Sequence, residues 1–160
     1  MEKKVLLMLS VSVILILLLL TAAYYKVQLS QKQNIIVQAE PEPDCDLQTS
    51  VCQVNIPGGG EVSLSIEPRP IPLVTQLDLN VKIKDLKAEA VSVDFQGTTM
   101  NMGPNSVVLN SKSVSDEHSS FQGKGMLPVC IRNSMDWKAQ VFVQTQEGIV
   151  VAPFIFVTHK

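Results

Sequence analysis

Apolar and polar residues alternate along several short stretches of the chain after residue 60. Because successive side chains of a β-strand point to opposite faces, alternation with a period of two predicts strands with one buried face. Turn residues such as Pro-Gly-Gly-Gly at 57–60 separate the stretches, and no amphipathic helical pattern occurs among them. We therefore predict an all-β, immunoglobulin-like antiparallel β-sandwich. The predicted strands include 61–66, 77–83, 91–95, 137–143 and the almost continuously apolar 149–157, whereas 110–120 is expected to be an exposed loop.

The segment 5–25 is uncharged and strongly apolar, and it precedes all of these strands. As a helix it would be about 31 Å long, which matches the hydrocarbon core of a bilayer. Lys3 and Lys4 come before the segment and Tyr24 and Tyr25 end it, so we predict a transmembrane helix with a cytoplasmic N-terminus. A cleaved signal peptide is the alternative, although the apolar region of such a peptide is usually shorter.

These features divide the chain into three predicted parts. Residues 1–26 form the cytoplasmic N-terminus and transmembrane anchor, 27–44 a polar linker, and 45–160 the β-sandwich domain. The linker prediction rests on several glutamines and on Glu-Pro-Glu-Pro at 40–43, a composition typical of an extended, solvated chain. We thus expect a single-pass protein of the inner (cytoplasmic) membrane, with its C-terminal domain in the periplasm or outside the cell.

The charge balance limits the partners that the exported part can have. The whole chain has a net charge of -2, and removing Glu2, Lys3, Lys4 and Lys26 leaves 10 basic and 14 acidic residues. No cluster of Lys and Arg is present, so we expect no nucleic-acid partner. The chain also lacks Gly-x-Ser-x-Gly, a glycine-rich nucleotide loop and Cys-x-x-Cys, and we therefore predict that it is not an enzyme.

Three cysteines follow the apolar segment. Cys45 and Cys52 enclose six residues, and in an exported domain we predict that they form a disulfide. Cys130 then stays unpaired, so it is buried, pairs between molecules or binds a ligand. Pairing of Cys130 with either upstream cysteine also stays open, because three thiols allow three single bridges.

Four sulfur-containing side chains form the candidate metal site. Met100 and Met102 stand two residues apart, so both point to the same side of an extended chain. Met135 follows Cys130 by five residues. Because thioethers and thiolates favour Cu(I) over hard cations, we predict a Cu(I) site built from Met100, Met102, Met135 and Cys130. The alternative is that the methionines only fill gaps in the core.

Four short motifs follow one another in the second half of the chain. Val-Asp-Phe-Gln-Gly and Met-Asn-Met-Gly lie within 93–103, Phe-Gln-Gly-Lys-Gly lies at 121–125, and Trp-Lys-Ala-Gln-Val lies at 137–141. Together they resemble the YtkA-like and FixH-type proteins over roughly 77–157. The resemblance implies an exported, membrane-tethered immunoglobulin-like domain that acts in copper handling or in respiratory oxidase maturation, with a membrane-bound oxidase or its assembly factors as partner.

By this resemblance Met100 and Met102 are the candidate copper ligands. The three cysteines depart from the pattern of those families, as does the absence of nearby histidines. We carry two hypotheses forward. The chain is an anchored accessory protein that binds Cu(I), or it is a structural or interaction module of a membrane complex that offers an edge strand or a loop end.

Overall fold

The computed structural model describes residues 2–30, 34–114, 118–129 and 132–159. They fall into two compact units, Met1–Asn34 and Ile35–Lys160.

The first unit consists of helix α1 (Glu2–Ser30), which contains the apolar segment 5–25. Its described side chains from Val13 to Leu20 are exposed. Among the described residues, no helix combines the length and the apolar character that crossing a membrane requires. The membrane anchor therefore stays a prediction from the sequence.

The described residues of the second unit form a single curled sheet of nine strands, which confirms the all-β prediction for this part of the chain. Neighbouring strands follow the order β1-β9-β8-β5-β6-β7-β4-β3-β2. The strands are β1 (Ile35–Gln38), β2 (Cys52–Asn55), β3 (Glu61–Glu67), β4 (Leu77–Lys84), β5 (Ala90–Gly97), β6 (Ser106–Val114), β7 (His118–Gly125), β8 (Ser134–Gln144) and β9 (Ile149–His159).

Strand β6 joins the two halves of the sheet. Its first residues, 106–109, pair with β5, whereas 110–114 pair with β7 after the strand has moved from one neighbour to the other. The sheet curls so that β2 approaches β9, and the alternating apolar residues of the strands fill the enclosed core. The expected loop over 110–120 is wrong for its described residues, because β6 and β7 continue through them.

Two regular elements of the structure extend into the range of the predicted linker 27–44. Helix α1 continues to Ser30, and β1 adds Ile35–Gln38 to the edge of the sheet in parallel with β9. Ala39 is buried and donates its N–H to the carbonyl of Val151 at 2.9 Å. Two isoleucines and a valine favour a strand here, and distant β9 supplies the partner that the local sequence does not reveal.

Cys45 and Cys52 form the predicted disulfide, with their Cα atoms 5.6 Å apart. The bridge closes a short loop that carries Leu47, which is fully buried, and Gln48. The side chain of Gln48 accepts a hydrogen bond from the N–H of Ile71 at 2.6 Å and donates to the carbonyl of Val157. The loop is thus fastened to β9 and to the segment that precedes β4.

Candidate functional site

The candidate site is built on the loop 98–105, which follows β5. The last residue of β5, Gly97, pairs with Trp137 on β8. Immediately afterwards, the N–H and the hydroxyl of Thr98 both donate to the carbonyl of Asp136, at 3.0 and 3.3 Å. The loop returns to the sheet at Asn105, whose carbonyl accepts the N–H of Phe95 at 2.9 Å. Both ends of the methionine-containing loop are therefore fixed by backbone hydrogen bonds.

Gly97 is the point at which the side chains of two of the predicted methionines, Met102 and Met135, come close together. A β-carbon placed on this residue would lie 2.1 Å from Met135 Cε, 2.4 Å from the carbonyl oxygen of Met100 and 3.1 Å from Met102 Cγ. Such distances leave no room for a side chain, so the absence of one allows Met102 and Met135 to lie together over the end of β5. The structure thus brings a residue of the loop beside a residue of β8, as the predicted metal site requires.

The methionines differ in their access to solvent. Met135 is only 2% exposed, and its sulfur accepts a hydrogen bond from the hydroxyl of Thr99 at 3.8 Å. Met100 and Met102 are partly buried against the core, and both line an open groove of about 650 Å³. This arrangement places two thioether side chains along a groove that solvent can enter, with a third methionine behind them.

The rest of the groove is polar. Asp94 and Gln96 lie on its wall, where the amide of Gln96 donates to the carboxylate of Asp94 at 2.8 Å. Asn101 also lines it and accepts the N–H of Gly103 at 2.8 Å. The described residues contain no group of three or more His, Cys, Asp or Glu side chains that could hold a metal ion.

Of the four predicted ligands, Cys130 lies outside the described residues, and its part in the site stays a prediction. A further methionine, Met126, is half exposed and does not line the groove. Sequence reasoning missed two residues of the site. Gly97 leaves the space that the side chains of Met102 and Met135 occupy, and Thr99 donates a hydrogen bond to the sulfur of Met135. The signal for Gly97 was its position between the end of a predicted strand and the first methionine, but a glycine there also fits an ordinary turn.

The single tryptophan lies directly beside the site. Trp137 is fully buried, and its indole N–H donates to the hydroxyl of Thr158 at 2.9 Å. Because it pairs with Gly97 across strands β8 and β5, its fluorescence is a natural reporter of changes at the methionines.

Neither a scan against models of protein families, nor a search of curated proteins, nor a search of solved structures found a match to this chain.

Proposed function

We propose that this protein is an exported, membrane-tethered accessory protein that binds Cu(I) through methionine sulfur, in copper handling or in the maturation of a membrane-bound oxidase. The observation that carries the proposal is the meeting of Met102 and Met135 over Gly97, with Met100 on the same loop. Soft thioether ligands select Cu(I), and two or three of them make a site from which the ion can leave.

The open groove supports transfer rather than storage. Met100 and Met102 line it, so a partner's ligand can approach an ion held by their sulfur atoms. Met135 can join as a third ligand through the sulfur lone pair that the hydrogen bond from Thr99 does not use. A closed cage of four ligands would release its ion more slowly than such an open set.

The proposal includes an immunoglobulin-like sandwich and an N-terminal anchor. The curl of the sheet and the division of β6 between two neighbours support a two-layered arrangement. The uncharged segment 5–25 supports the tether. If the tether is correct, alkaline carbonate will leave the full chain in the membrane fraction and will release a version that begins at Ile35. Release of both proteins would refute it.

The test of copper binding uses the full chain in detergent, titrated anaerobically with Cu(I) against a chromophoric chelator. The decisive variant replaces Met100, Met102 and Met135 by leucine, which nearly keeps their volume and removes the sulfur. Met126→Leu is the matched control, since it removes an exposed sulfur outside the groove. We expect one tightly bound ion in the wild type and in the control, and at least tenfold weaker binding in the triple variant.

We expect titration with Cu(I) to change the fluorescence of Trp137 in the two proteins that bind the ion, the wild type and Met126→Leu. Equal Cu(I) affinity in the wild type and in the triple variant would rule out the methionine site. The melting temperature of each variant shows whether a loss of binding reflects a loss of folding.

An interaction module without metal is the second candidate, and the burial of Met135 favours it. This side chain is 2% exposed and packs tightly on Gly97, as a methionine that fills a gap in the core does. Under this alternative the wild type binds Cu(I) no better than the triple leucine variant, whereas both proteins fold and associate with the same membrane complex.

A further inference from the structure

The four methionines of the second unit differ in how far an oxidant can reach their sulfur atoms. Met126 is 50% exposed, whereas Met135 is 2% exposed. Met100 and Met102 lie between these extremes, because they are partly buried but line the open groove. A thioether is oxidised only where the oxidant contacts its sulfur, so the order of access is also the expected order of reaction.

Met135 is protected in two further ways. The hydroxyl of Thr99 donates a hydrogen bond to its sulfur at 3.8 Å, which engages one of the two lone pairs that could attack an oxidant. Its terminal methyl group packs on Gly97, at 2.1 Å from the position of an added β-carbon. A sulfoxide oxygen on Met135 would therefore be a polar group forced into a packed interior, which is unfavourable.

The groove accommodates the oxidised forms of Met100 and Met102. A sulfoxide is polar, and its oxygen accepts hydrogen bonds. The exposed side chains of Gln96 and Asn101 bring amide donors to the same groove. Oxidation of the two loop methionines therefore does not require a polar group to be buried in the core.

The loop 98–105 is attached to the sheet by backbone groups and not by sulfur. The N–H of Thr98 donates to the carbonyl of Asp136, and the N–H of Phe95 donates to the carbonyl of Asn105. Oxidation of methionines within the loop leaves both of these attachments intact, so the sheet can stay folded when the loop is modified.

We propose that Met100 and Met102 are sites of reversible oxidation by hydrogen peroxide, which switches off the sulfur site while the sheet stays folded. In this step a lone pair of the thioether sulfur attacks one oxygen of the peroxide. The S–O bond forms as the O–O bond breaks, the sulfur loses two electrons, and the second oxygen takes both protons and leaves as water. Reduction of the sulfoxide by a dithiol returns the thioether and gives a disulfide and one molecule of water.

The loss of Cu(I) affinity rests on the proposed function, whereas the modification sites do not. A sulfoxide sulfur is no longer a soft donor, and its oxygen is a hard ligand that holds Cu(I) poorly. Oxidation of Met100 and Met102 therefore leaves Met135 as the one thioether among the three proposed methionine ligands. One buried thioether competes poorly with a chelator, so the site would release its ion wherever peroxide accumulates.

The first test needs no copper. The full chain in detergent micelles, free of metal, is treated with hydrogen peroxide, and samples taken over time are digested with trypsin. Cleavage after Lys and Arg gives the peptides 88–112, 125–132 and 133–138, which separate the loop methionines from Met126 and from Met135. Mass spectrometry counts the oxygen atoms added to each peptide, and fragmentation of the first peptide distinguishes its two methionines.

We expect Met100 and Met102 to react at least tenfold faster than Met135, with Met126 the fastest of the four. In concentrated urea the four rates should agree within twofold, because the fold alone protects Met135. The melting temperature of the chain oxidised at both loop methionines should stay within about 5 °C of the untreated value.

The second test measures Cu(I) binding after catalase has removed the peroxide, by anaerobic titration against the same chromophoric chelator. The oxidised chain should bind at least tenfold more weakly than the untreated chain, and the two methionine sulfoxide reductases, one for each epimer, should restore the affinity. The reductant without these enzymes is the control, because it isolates any effect of reducing the disulfide or an oxidised cysteine. Met126→Leu should lose and regain affinity as the wild type does, since Met126 does not line the groove.

Three results would overturn the proposal. The first is oxidation of Met135 in the folded protein at the same rate as Met100 and Met102. The second is unfolding of the chain when the loop methionines are oxidised and Met135 is not. The third is unchanged Cu(I) affinity after both loop methionines have been oxidised. An untreated chain that does not bind Cu(I) would instead refute the proposed function, and with it the switch, while mass spectrometry would still decide the modification sites.

Discussion

Gly97 gives the sharpest test of how the methionine end is packed. In Gly97→Ala the new methyl group would lie 2.1 Å from Met135 Cε and 2.4 Å from the carbonyl oxygen of Met100. Met135 is 2% exposed, so its terminal methyl has little free space to enter. The backbone oxygen of Met100 moves only if the loop after β5 moves with it. The substitution therefore overfills a packed site.

The size of the effect follows from two opposing contributions. Overpacking of this kind costs about 1 to 3 kcal/mol, and two close contacts, one of them with the backbone, favour the upper value. Alanine restricts the unfolded chain more than glycine does, and this effect stabilises the folded state by about 0.4 to 1 kcal/mol. We expect a net loss of about 2 kcal/mol in the free energy of unfolding, measured by urea denaturation with Trp137 fluorescence.

Two further variants separate packing from backbone effects. Gly103→Ala is the control, because Gly103 has a φ of 76° and an added β-carbon would have no atom within 4 Å. This substitution strains only the backbone, so it should lower the free energy of unfolding by about 1 kcal/mol. Met135→Val removes the methyl group that Gly97→Ala meets, so the double variant should lose about 1 kcal/mol less than the sum of the single losses. The reasoning fails if Gly97→Ala costs no more than Gly103→Ala and shows no coupling to Met135→Val.

Three other outcomes are expected for stability. Thr158→Val leaves the buried indole N–H of Trp137 without its acceptor, so it should lower the free energy of unfolding by about 1 to 3 kcal/mol. The loss would be measured as a lower midpoint of urea denaturation. An unchanged midpoint would mean that the hydrogen bond does not contribute to stability. Reduction of the Cys45–Cys52 bridge should lower the free energy of unfolding by about 2.5 kcal/mol, from the entropy of closing so short a loop, and thermal melts with and without a reductant measure it. A protein that begins at residue 40 loses β1 and the bond from Ala39, so it should melt at a lower temperature than one that begins at residue 35; equal melting temperatures would mean that β1 does not stabilise the sheet.

The extent to which the sequence predicts the sheet differs from strand to strand. In β4 every second residue is a buried aliphatic one, so the pattern alone located the strand. In β7 the inward positions include Ser119, Phe121 and Gly123, and this mixture hides the period of two. A β-carbon on Gly123 would lie 2.5 Å from Leu109 Cδ2, so the neighbouring strand fills the space that a larger inward side chain would need.

Local pattern also explains what could be predicted of the candidate site. The spacing of Met100 and Met102 makes them neighbours in any extended conformation, and nearness in sequence made a bridge between Cys45 and Cys52 the simplest pairing. The meeting with Met135 has no such local cause, because it requires β5 and β8 to pair in the register that sets Gly97 opposite Trp137.

The sequence by itself determined the all-β character of the second unit, the short disulfide loop and the sulfur-rich loop, because alternation, spacing and composition act over a few residues. Tertiary structure decided that β1 joins β9, that β6 divides its length between two neighbours, and that Met135 lies over Gly97 beside Met102. These features depend on pairing between segments far apart in the chain. Such pairing is set by how the whole sheet closes around its core, and no single stretch of residues carries that information.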